Sequence, residues 1–522
     1  MPMQPLPLSP SARRLVTELD ASRSAPEPGA HTYHVASIGS GFYFAYEQLR
    51  NVTEYREHHL LLRSAIERYL SRYMRLSRYD RLAGDLITEL TQAGYLKNDS
   101  VAIATVGDID AQLESYSHIF QNLKDKHPRL GDKIAGWMLQ LASVRIETLL
   151  SPDARNAVMM QFAYEHYYHA VDRSVAGPQV SDQHFRIALF CATQRALFKS
   201  DIATIRYYCT QASLPNLDTQ PVEHIMELNK LIDELYQAPM TNRLSRLINR
   251  YGAPMRILRE LVIEEPNPGP ILADAQTTMT RVKALCAQQY LVTRRNLNGR
   301  IAKSILFIFI TKTILGVGVE VPYDLATTHV IAWTPLLINI CFPLLYMATI
   351  GVRISTPSRH NTQVVADYLE RILYEGAGAP LEYRFKRRVS SGSLNATFSV
   401  VYAVGFIGSI ALLIWILNRL SYNPVNGFIF FLFFSAVSFL GFRLRQSAHE
   451  LVLIDERQGI IQTLADFVST PFVRVGHWLS DKYAKINLVT LLLDLAIEMP
   501  LKTSLRLIRQ WVSFMRDKQE EI

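Results

Sequence analysis

One charged side chain stands in the middle of an otherwise apolar run. Residues 304–324 read SILFIFITKTILGVGVEVPYD, with Lys312 close to the centre of a segment that is apolar enough for a membrane span. A charged side chain at mid-bilayer costs at least about 2.5–3.5 kcal/mol on insertion scales, so a facing partner or water is expected. The first question is therefore what compensates the Lys312 ammonium.

The next apolar run contains the first candidate partner. Asn339 lies near the middle of this run and, counted inward from the turn between the two runs, at a depth similar to that of Lys312. Three neighbouring threonines can share hydrogen bonds: Thr311, Thr313 and Thr334. Three interpretations stay open for Lys312. In the first it belongs to a structural hydrogen-bond network, and in the second it lines a water-filled path for an ion or polar solute. In the third interpretation the ammonium reaches the membrane surface, either by snorkelling or because the run only dips into the membrane.

Three acidic residues also lie in or beside apolar segments. Glu320 is expected at the outer surface near His329, as an interfacial pair. Asp494 and Glu498 are four residues apart in INLVTLLLDLAIEMP, so both face one side of a helix. These two carboxylates could repel each other, bind a cation or meet basic residues of a cytoplasmic loop. We favour the last, as structural pairing.

Other residue types with catalytic or metal-binding potential lack the required spacing. His166 and His169 share one helical face, but the Glu-x-x-His spacing of di-iron bundles does not occur there. The four cysteines form no CxxC pair and no zinc pattern, which predicts reduced thiols. No GxxxxGK[ST], GxSxG or HExxH motif is found. The sequence therefore predicts no catalytic residue, no metal site and no cofactor, and favours a protein that is not an enzyme.

The elements that position these residues are predicted to be helices. Four apolar runs follow one another, and each reaches or nearly reaches the roughly 20 residues that cross the hydrocarbon layer. They cover about 301–321, 329–351, 396–417 and 426–442. The runs form two hairpins within a transmembrane region at 299–445, and a loop with a short helix, 353–395, separates the hairpins. Because alternating strand patterns are nearly absent, the predicted fold class is all-α.

Basic residues flank these runs on one side of the membrane. The turn between the first and second runs has no Lys or Arg, and the turn between the third and fourth has only Arg419. The positive-inside rule then places both termini and the 353–395 loop in the cytoplasm, in a multi-pass protein of the cell membrane. The net charge of +8 is mostly topological, so nucleic-acid binding is not expected. The flanking residues are Arg294, Arg295, Arg300, Arg384, Lys386, Arg387, Arg388, Arg443 and Arg445.

Outside the apolar runs, hydrophobic residues return at three- and four-residue steps. This pattern predicts an all-helical cytoplasmic domain over 36–298, which follows a flexible N-terminal tail over 1–35. The C-terminal tail, 446–522, ends in an amphipathic helix that suits either the cytoplasmic membrane interface or packing on the soluble domain. Its basic face carries Lys502, Arg506 and Arg509. Helix starts are predicted at four capping residues, Asp108, Ser151, Ser181 and Asp201.

A large helical domain beside a small membrane part with few polar groups favours a membrane-anchored scaffold or assembly factor. The expected partners are the lipid bilayer and either other proteins or further copies of the chain. An oligomeric channel or transporter is the alternative if Lys312 and Asn339 meet water near the membrane midplane. A membrane-bound enzyme would need a pocket in 36–298.

Overall fold

The computed structural model describes residues 6–22, 31–35, 60–74, 82–175, 180–214, 217–353, 357–376, 381–383, 392–448, 451–453 and 460–485, with residues 44, 47, 50 and 378. Within these residues the chain forms helices, and pairing between extended segments is limited to three isolated bridges. The prediction of an all-α fold is confirmed. The chain divides into two compact units.

The first unit, called here the helical unit, contains the described residues of 10–248 together with 381–383. Its helices are α1 (Pro10–Ala21), α2 (Leu61–Met74), α3 (Leu82–Gln92), α4 (Ile103–Lys126), α5 (Gly131–Leu150), α6 (Ala154–Ala170), α7 (Asp182–Thr193), α8 (Ile202–Ser213), α9 (Val222–Tyr236) and α10 (Pro239–Tyr251), the last of which crosses the boundary of the unit.

Helix α5 lies at the centre of the helical unit. Its apolar residues cover most of its circumference, as expected for a helix that is buried on several sides. It packs against α2, α4 and α8. The N-terminal α1 also packs, because Leu15 and Leu19 are buried and α1 contacts α6. The predicted flexible tail 1–35 therefore contains an ordered amphipathic helix.

Two of the four predicted helix caps are confirmed. The side chains of Ser181 and Asp201 each accept a hydrogen bond from the amide three residues further on, at the starts of α7 and α8. The prediction for Asp108 was wrong, since this residue lies inside α4. The prediction for Ser151 was also wrong, because Asp153 caps α6 instead.

The core of the helical unit contains a fully compensated arginine. Arg206 on α8 is 1% exposed and pairs with Asp233 of α9. It also donates to Gln140 Oε1 at 2.7 Å and to Asn229 Oδ1 at 2.8 Å. A buried charge is tolerated only when its hydrogen bonds are satisfied in this way. This network joins α5, α8 and α9.

The second unit, called here the membrane unit, contains the described residues of 249–380 and 385–486, with the segment up to Ser9. Its helices are α11 (Ala253–Glu264), α12 (Pro268–Ala273), α13 (Ala275–Leu315), α14 (Val321–Thr328), α15 (Trp333–Arg353), α16 (Arg359–Leu373), α17 (Gly392–Arg419), α18 (Pro424–Ala448) and α19 (Ile460–Lys485). Among the described residues, four helical segments are long and apolar enough to cross a membrane: 275–327, 333–352, 402–419 and 424–446.

The membrane unit begins at residue 249, well before the predicted start of the transmembrane region. Helix α13 is 41 residues long, so its first half extends far beyond the apolar run. Asn361 of α16 donates to the Tyr290 hydroxyl of α13 at 2.8 Å, and Tyr374 donates to the Leu272 carbonyl at 2.8 Å. These contacts attach the loop between the second and third candidate spans to α12 and α13. They explain why 249–298 belongs with the spans and not with the helical unit.

Helix α19 packs along α18 and α17. Arg445 of α18 binds both carboxylate oxygens of Asp466 at 2.9 Å, and Gly476 lies against Ser435. Residue numbers thus rise along α19 as they fall along α18, so the two helices are antiparallel. The sequence places 446–522 outside the transmembrane region, whereas its described helix runs beside the fourth candidate span.

Among the titratable groups of the helical unit, His166 and Glu147 have pKa values that are shifted within the range from about pH 4 to 7. Burial lowers the pKa of His166 to about 4, and its Nε2 lies 3.1 Å from the hydroxyl of Tyr383. Burial raises the pKa of Glu147 to about 7, although Arg63 opposes this shift. His166 therefore binds fewer protons in the folded state than in the unfolded state between about pH 4 and 6.5, and Glu147 binds more between about pH 4.5 and 7.

These shifts predict opposite pH dependences. The His166 contribution to the free energy of unfolding is fully present above about pH 6.5 and is lost as pH falls towards 4. The Glu147 contribution is fully present below about pH 4.5 and is lost as pH rises through 7. From about pH 4 to 7, we expect the stability advantage of wild type over His166→Gln to grow by about 3 kcal/mol. Over the same range the advantage of wild type over Glu147→Gln should shrink by about 3 kcal/mol.

The measurement is the melting temperature of the purified full-length protein in detergent, from about pH 4 to 7. Each kcal/mol corresponds to about 2–4 °C for a unit of this size. If the difference in melting temperature from wild type changed in the same direction with pH for both variants, the opposite pKa shifts of His166 and Glu147 would be contradicted.

Candidate functional site: a buried polar network in the membrane unit

Polar residues converge inside the membrane unit near the end that carries the α14–α15 and α17–α18 turns. Lys312 of α13, Asn339 of α15 and Asn426 of α18 are fully buried, and Glu320 and Asp324 are 1% and 2% exposed. They come from three helices that pack against one another, α13, α15 and α18, and from the segment that follows α13. The network therefore lies inside a helix bundle and not on its lipid-facing surface.

A salt bridge within one continuous helical segment is at the centre of this network. Lys312 Nζ lies 3.1 Å from Glu320 Oε1. Eight residues of regular α-helix advance about 80° past two full turns, which would turn the two side chains apart. The π-helical turn Gly316–Glu320 takes up one extra residue, so Glu320 returns to the face of Lys312. Pro322 favours this turn because it has no N–H to donate to the Gly318 carbonyl.

The second oxygen of Glu320 connects α15 to the pair. Asn339 Nδ2 donates to Glu320 Oε2 at 2.7 Å and lies 3.4 Å from the carbonyl oxygen of Asn426. The Lys312 ammonium also lies 4.6 Å from the centre of the Phe433 ring, a cation–π distance. The ammonium is thus compensated by a carboxylate and an aromatic face, and the carboxylate by an ammonium and an amide.

Asp324 forms a second polar contact between the two hairpins. Its Oδ1 accepts from Asn423 Nδ2 at 2.6 Å and from Asn426 Nδ2 at 3.3 Å. Its Oδ2 accepts from the amide of Ala332, just before α15, at 3.1 Å. Asn423 in turn caps α18 by accepting from the Asn426 amide at 2.8 Å. One carboxylate therefore holds the first turn, the start of α15 and the second turn together.

The structure brings Lys312 and Asn339 to the same carboxylate. Thr311 and Thr313 do not join them, because their hydroxyls donate to carbonyls of their own helix. Thr334 is exposed. The expected pair between Glu320 and His329 does not form, since Glu320 is buried beside Lys312.

Sequence reasoning missed the roles of Asp324, Asn423 and Asn426. All three lie at or beside the two short turns of the hairpins, so a signal existed: polar side chains that both turns bring to one end of the bundle. That signal identifies a common depth but not a contact. Only the packing of one hairpin on the other decides which residues meet.

The flanking basic residues that the structure describes lie at the opposite end of the bundle. Arg294, Arg295, Arg300 and Arg443 are exposed, and Arg445 is engaged with Asp466. Leu297 and Leu444, which are neighbours of these residues in sequence, belong to one buried cluster. The remaining predicted site residues lie outside the described residues: Arg384, Lys386, Arg387, Arg388, Asp494, Glu498, Lys502, Arg506 and Arg509.

The described residues contain no group of three or more His, Cys, Asp or Glu side chains that could hold a metal ion. Comparison of the chain with protein-family models, with curated proteins and with solved structures yields no match. Functional inference therefore depends on the chemistry of the chain itself. The described chemistry of the network is charge compensation and hydrogen bonding between helices.

The Lys312–Glu320 pair should show strong thermodynamic coupling. Lys312→Met leaves a buried carboxylate without its cation, and Glu320→Gln leaves a buried ammonium, so each should destabilise the protein by about 3–5 kcal/mol. The double variant Lys312→Met/Glu320→Gln should recover much of this loss, because no isolated charge remains and the introduced amide oxygen can still accept from Asn339. Thermal unfolding in detergent measures the effect.

Thr313→Val serves as the control, because the Thr313 hydroxyl donates to a carbonyl of its own helix, and a shift below about 0.5 kcal/mol is expected. Additive losses in the double variant would show that the two charges act independently.

Proposed function

We propose that the protein is a membrane-anchored scaffold or assembly factor of the cell membrane, in which the membrane unit anchors the chain and the helical unit binds protein partners. The observation that carries this proposal is the buried, charge-compensated network of Lys312, Glu320 and Asn339. Each charged group in it is compensated by a neighbouring helix or turn. A network whose charges are compensated internally stabilises the packing of the spans, which is the role expected of a membrane anchor.

The distribution of charge supports the topology in this proposal. Exposed arginines lie at one end of the bundle, and the network with Asp324 lies near the other. The positive-inside rule then assigns the arginine end, and with it the part of the chain that precedes the first span, to the cytoplasm. The helical unit would meet its partners there, and nucleic acid is not among the partners that we propose.

Site-specific photo-crosslinking tests the scaffold. A photoreactive amino acid is placed at exposed positions of the full-length protein, at His118, Arg186 and Arg243 in separate variants, and irradiated in native membranes. At least one position should give a discrete protein adduct, because a scaffold holds its partner at a defined surface.

The matched control carries the same photoreactive group at Leu345, which is exposed on α15 of the membrane unit. The scaffold is rejected if none of the three positions gives a protein adduct above the level of this control.

One observation favours transport of an ion or polar solute as a second candidate function. The side-chain oxygens of Asn339 and Asn426 are buried, and neither has a hydrogen-bond donor among the described residues. Such oxygens suit a buried water or a small cation. Transport requires that water reaches Lys312, whereas the scaffold requires no water there.

Thiol labelling separates these two functions. In a chain whose four native cysteines are replaced, Lys312→Cys should resist a small water-soluble thiol reagent in intact membranes, because position 312 is fully buried. Ser421→Cys, at an exposed position in the α17–α18 turn, should react rapidly and shows that the reagent is active. Full labelling of position 312 after denaturation confirms that the thiol is intact. Rapid labelling before denaturation would favour transport over the scaffold.

A further inference from the structure

Helix α19 has an exposed charged face that touches its neighbours at only two described ring contacts, Arg474 with Tyr402 of α17 and His477 with Phe439 of α18. Arg474, His477, Asp481 and Lys482 are exposed on it. His477 Nδ1 lies 3.1 Å from Asp481 Oδ2, with the two side chains 60% and 62% exposed. The Arg474 guanidinium lies over the Tyr402 ring at 4.8 Å. Steps of three and four residues place 474, 477 and 481 along one stripe of the helix; we call these residues, with Lys482, the polar stripe.

The polar stripe lies at the depth of the fourth candidate span. Gly476 contacts Ser435, which is eleven residues from Pro424, the first residue of α18. At 1.5 Å per residue this is about 16 Å along the helix, or close to the middle of a hydrocarbon layer about 30 Å thick. When α18 crosses a membrane, the centre of the stripe is therefore in the hydrocarbon.

The polar stripe cannot be turned inward within one chain, because the opposite face of α19 is already closed. A Cβ on Gly476 would overlap the Ser435 carbonyl oxygen, so the two backbones are in direct contact. The Phe472 ring lies 4.5 Å from the ring of Phe434. Charged residues at this depth face a bundle interior, water or one another. The group that covers the stripe must therefore come from outside the membrane unit described above.

We propose that a second copy of this chain covers the polar stripe, with the two α19 helices packed side by side. Copies inserted in the same orientation place identical residues at identical depth. The stripe carries both signs of charge, so Asp481 of one copy can reach His477 and Lys482 of the other, within one helical turn. The exposed Trp478 supplies apolar surface beside the ionic contacts. Polar residues in such a seam fix its register and its number of helices.

This inference is independent of the partner that the helical unit binds. Its test is oxidative cross-linking of Trp478→Cys in native membranes, in a full-length chain whose other cysteines are replaced. Trp415→Cys on α17 is the matched control, because the two tryptophans are 59% and 57% exposed. They also lie at similar depth, ten or eleven residues beyond the contact between Gly405 and Phe467. Trp478→Cys should form a covalent dimer at least about tenfold faster than Trp415→Cys.

A second variant tests the ionic contacts. Asp481→Lys in the Trp478→Cys chain should slow dimer formation about tenfold, while the melting temperature changes little because residue 481 is exposed. Equal rates at positions 478 and 415, or a dimer that is insensitive to Asp481→Lys, would overturn the proposal. Labelling of position 478 by a water-soluble reagent without any dimer would also overturn it and would assign the stripe to a water-lined groove.

Discussion

An ammonium in an apolar medium must have its charge compensated, and the architecture of the membrane unit depends on how this is done for Lys312. Its carboxylate partner, Glu320, comes from the same helical segment, and the π-turn between them restores the shared face. Glu320 also binds Asn339, so the second helix of the hairpin is positioned by the same pair. The desolvation of two charges is offset only by such complete pairing, which makes the geometry of the first hairpin specific.

The same constraint extends to the contact between the two hairpins. Asp324 accepts hydrogen bonds from Asn423, Asn426 and the backbone before α15, so the two turns are joined by a polar contact. Apolar packing alone distinguishes poorly between helix arrangements in lipid, because lipid chains are as apolar as the side chains that they would replace. Directional hydrogen bonds at the turns remove this ambiguity. They also account for the concentration of buried polar residues at one end of the bundle.

In both units a buried charged side chain is surrounded by groups that compensate its charge, but the units differ in which groups these are and in whether every charge is buried. In the helical unit Arg206 has a carboxylate, two amide side chains and a ring as partners. In the membrane unit the close approach of α19 to α18 at Gly476 leaves the polar stripe outside the bundle. Buried charge is satisfied within each unit, whereas the stripe is exposed at the depth of a span. A membrane-anchored scaffold that self-associates would reconcile these observations.

The sequence by itself determined the helical class, the four candidate spans, two of the helix caps and the common depth of Lys312 and Asn339, because each depends on local pattern or on counting residues along one hairpin. Only the three-dimensional structure decided the partner of Glu320, since one π-turn brings its side chain back to the face of Lys312. The tertiary structure also decided that 249–298 belongs with the spans and that α19 lies beside α18. Both depend on contacts between residues far apart in sequence, such as Tyr290 with Asn361 and Ser435 with Gly476. A local periodicity shows which face of a helix is apolar, but it does not show which distant helix covers that face.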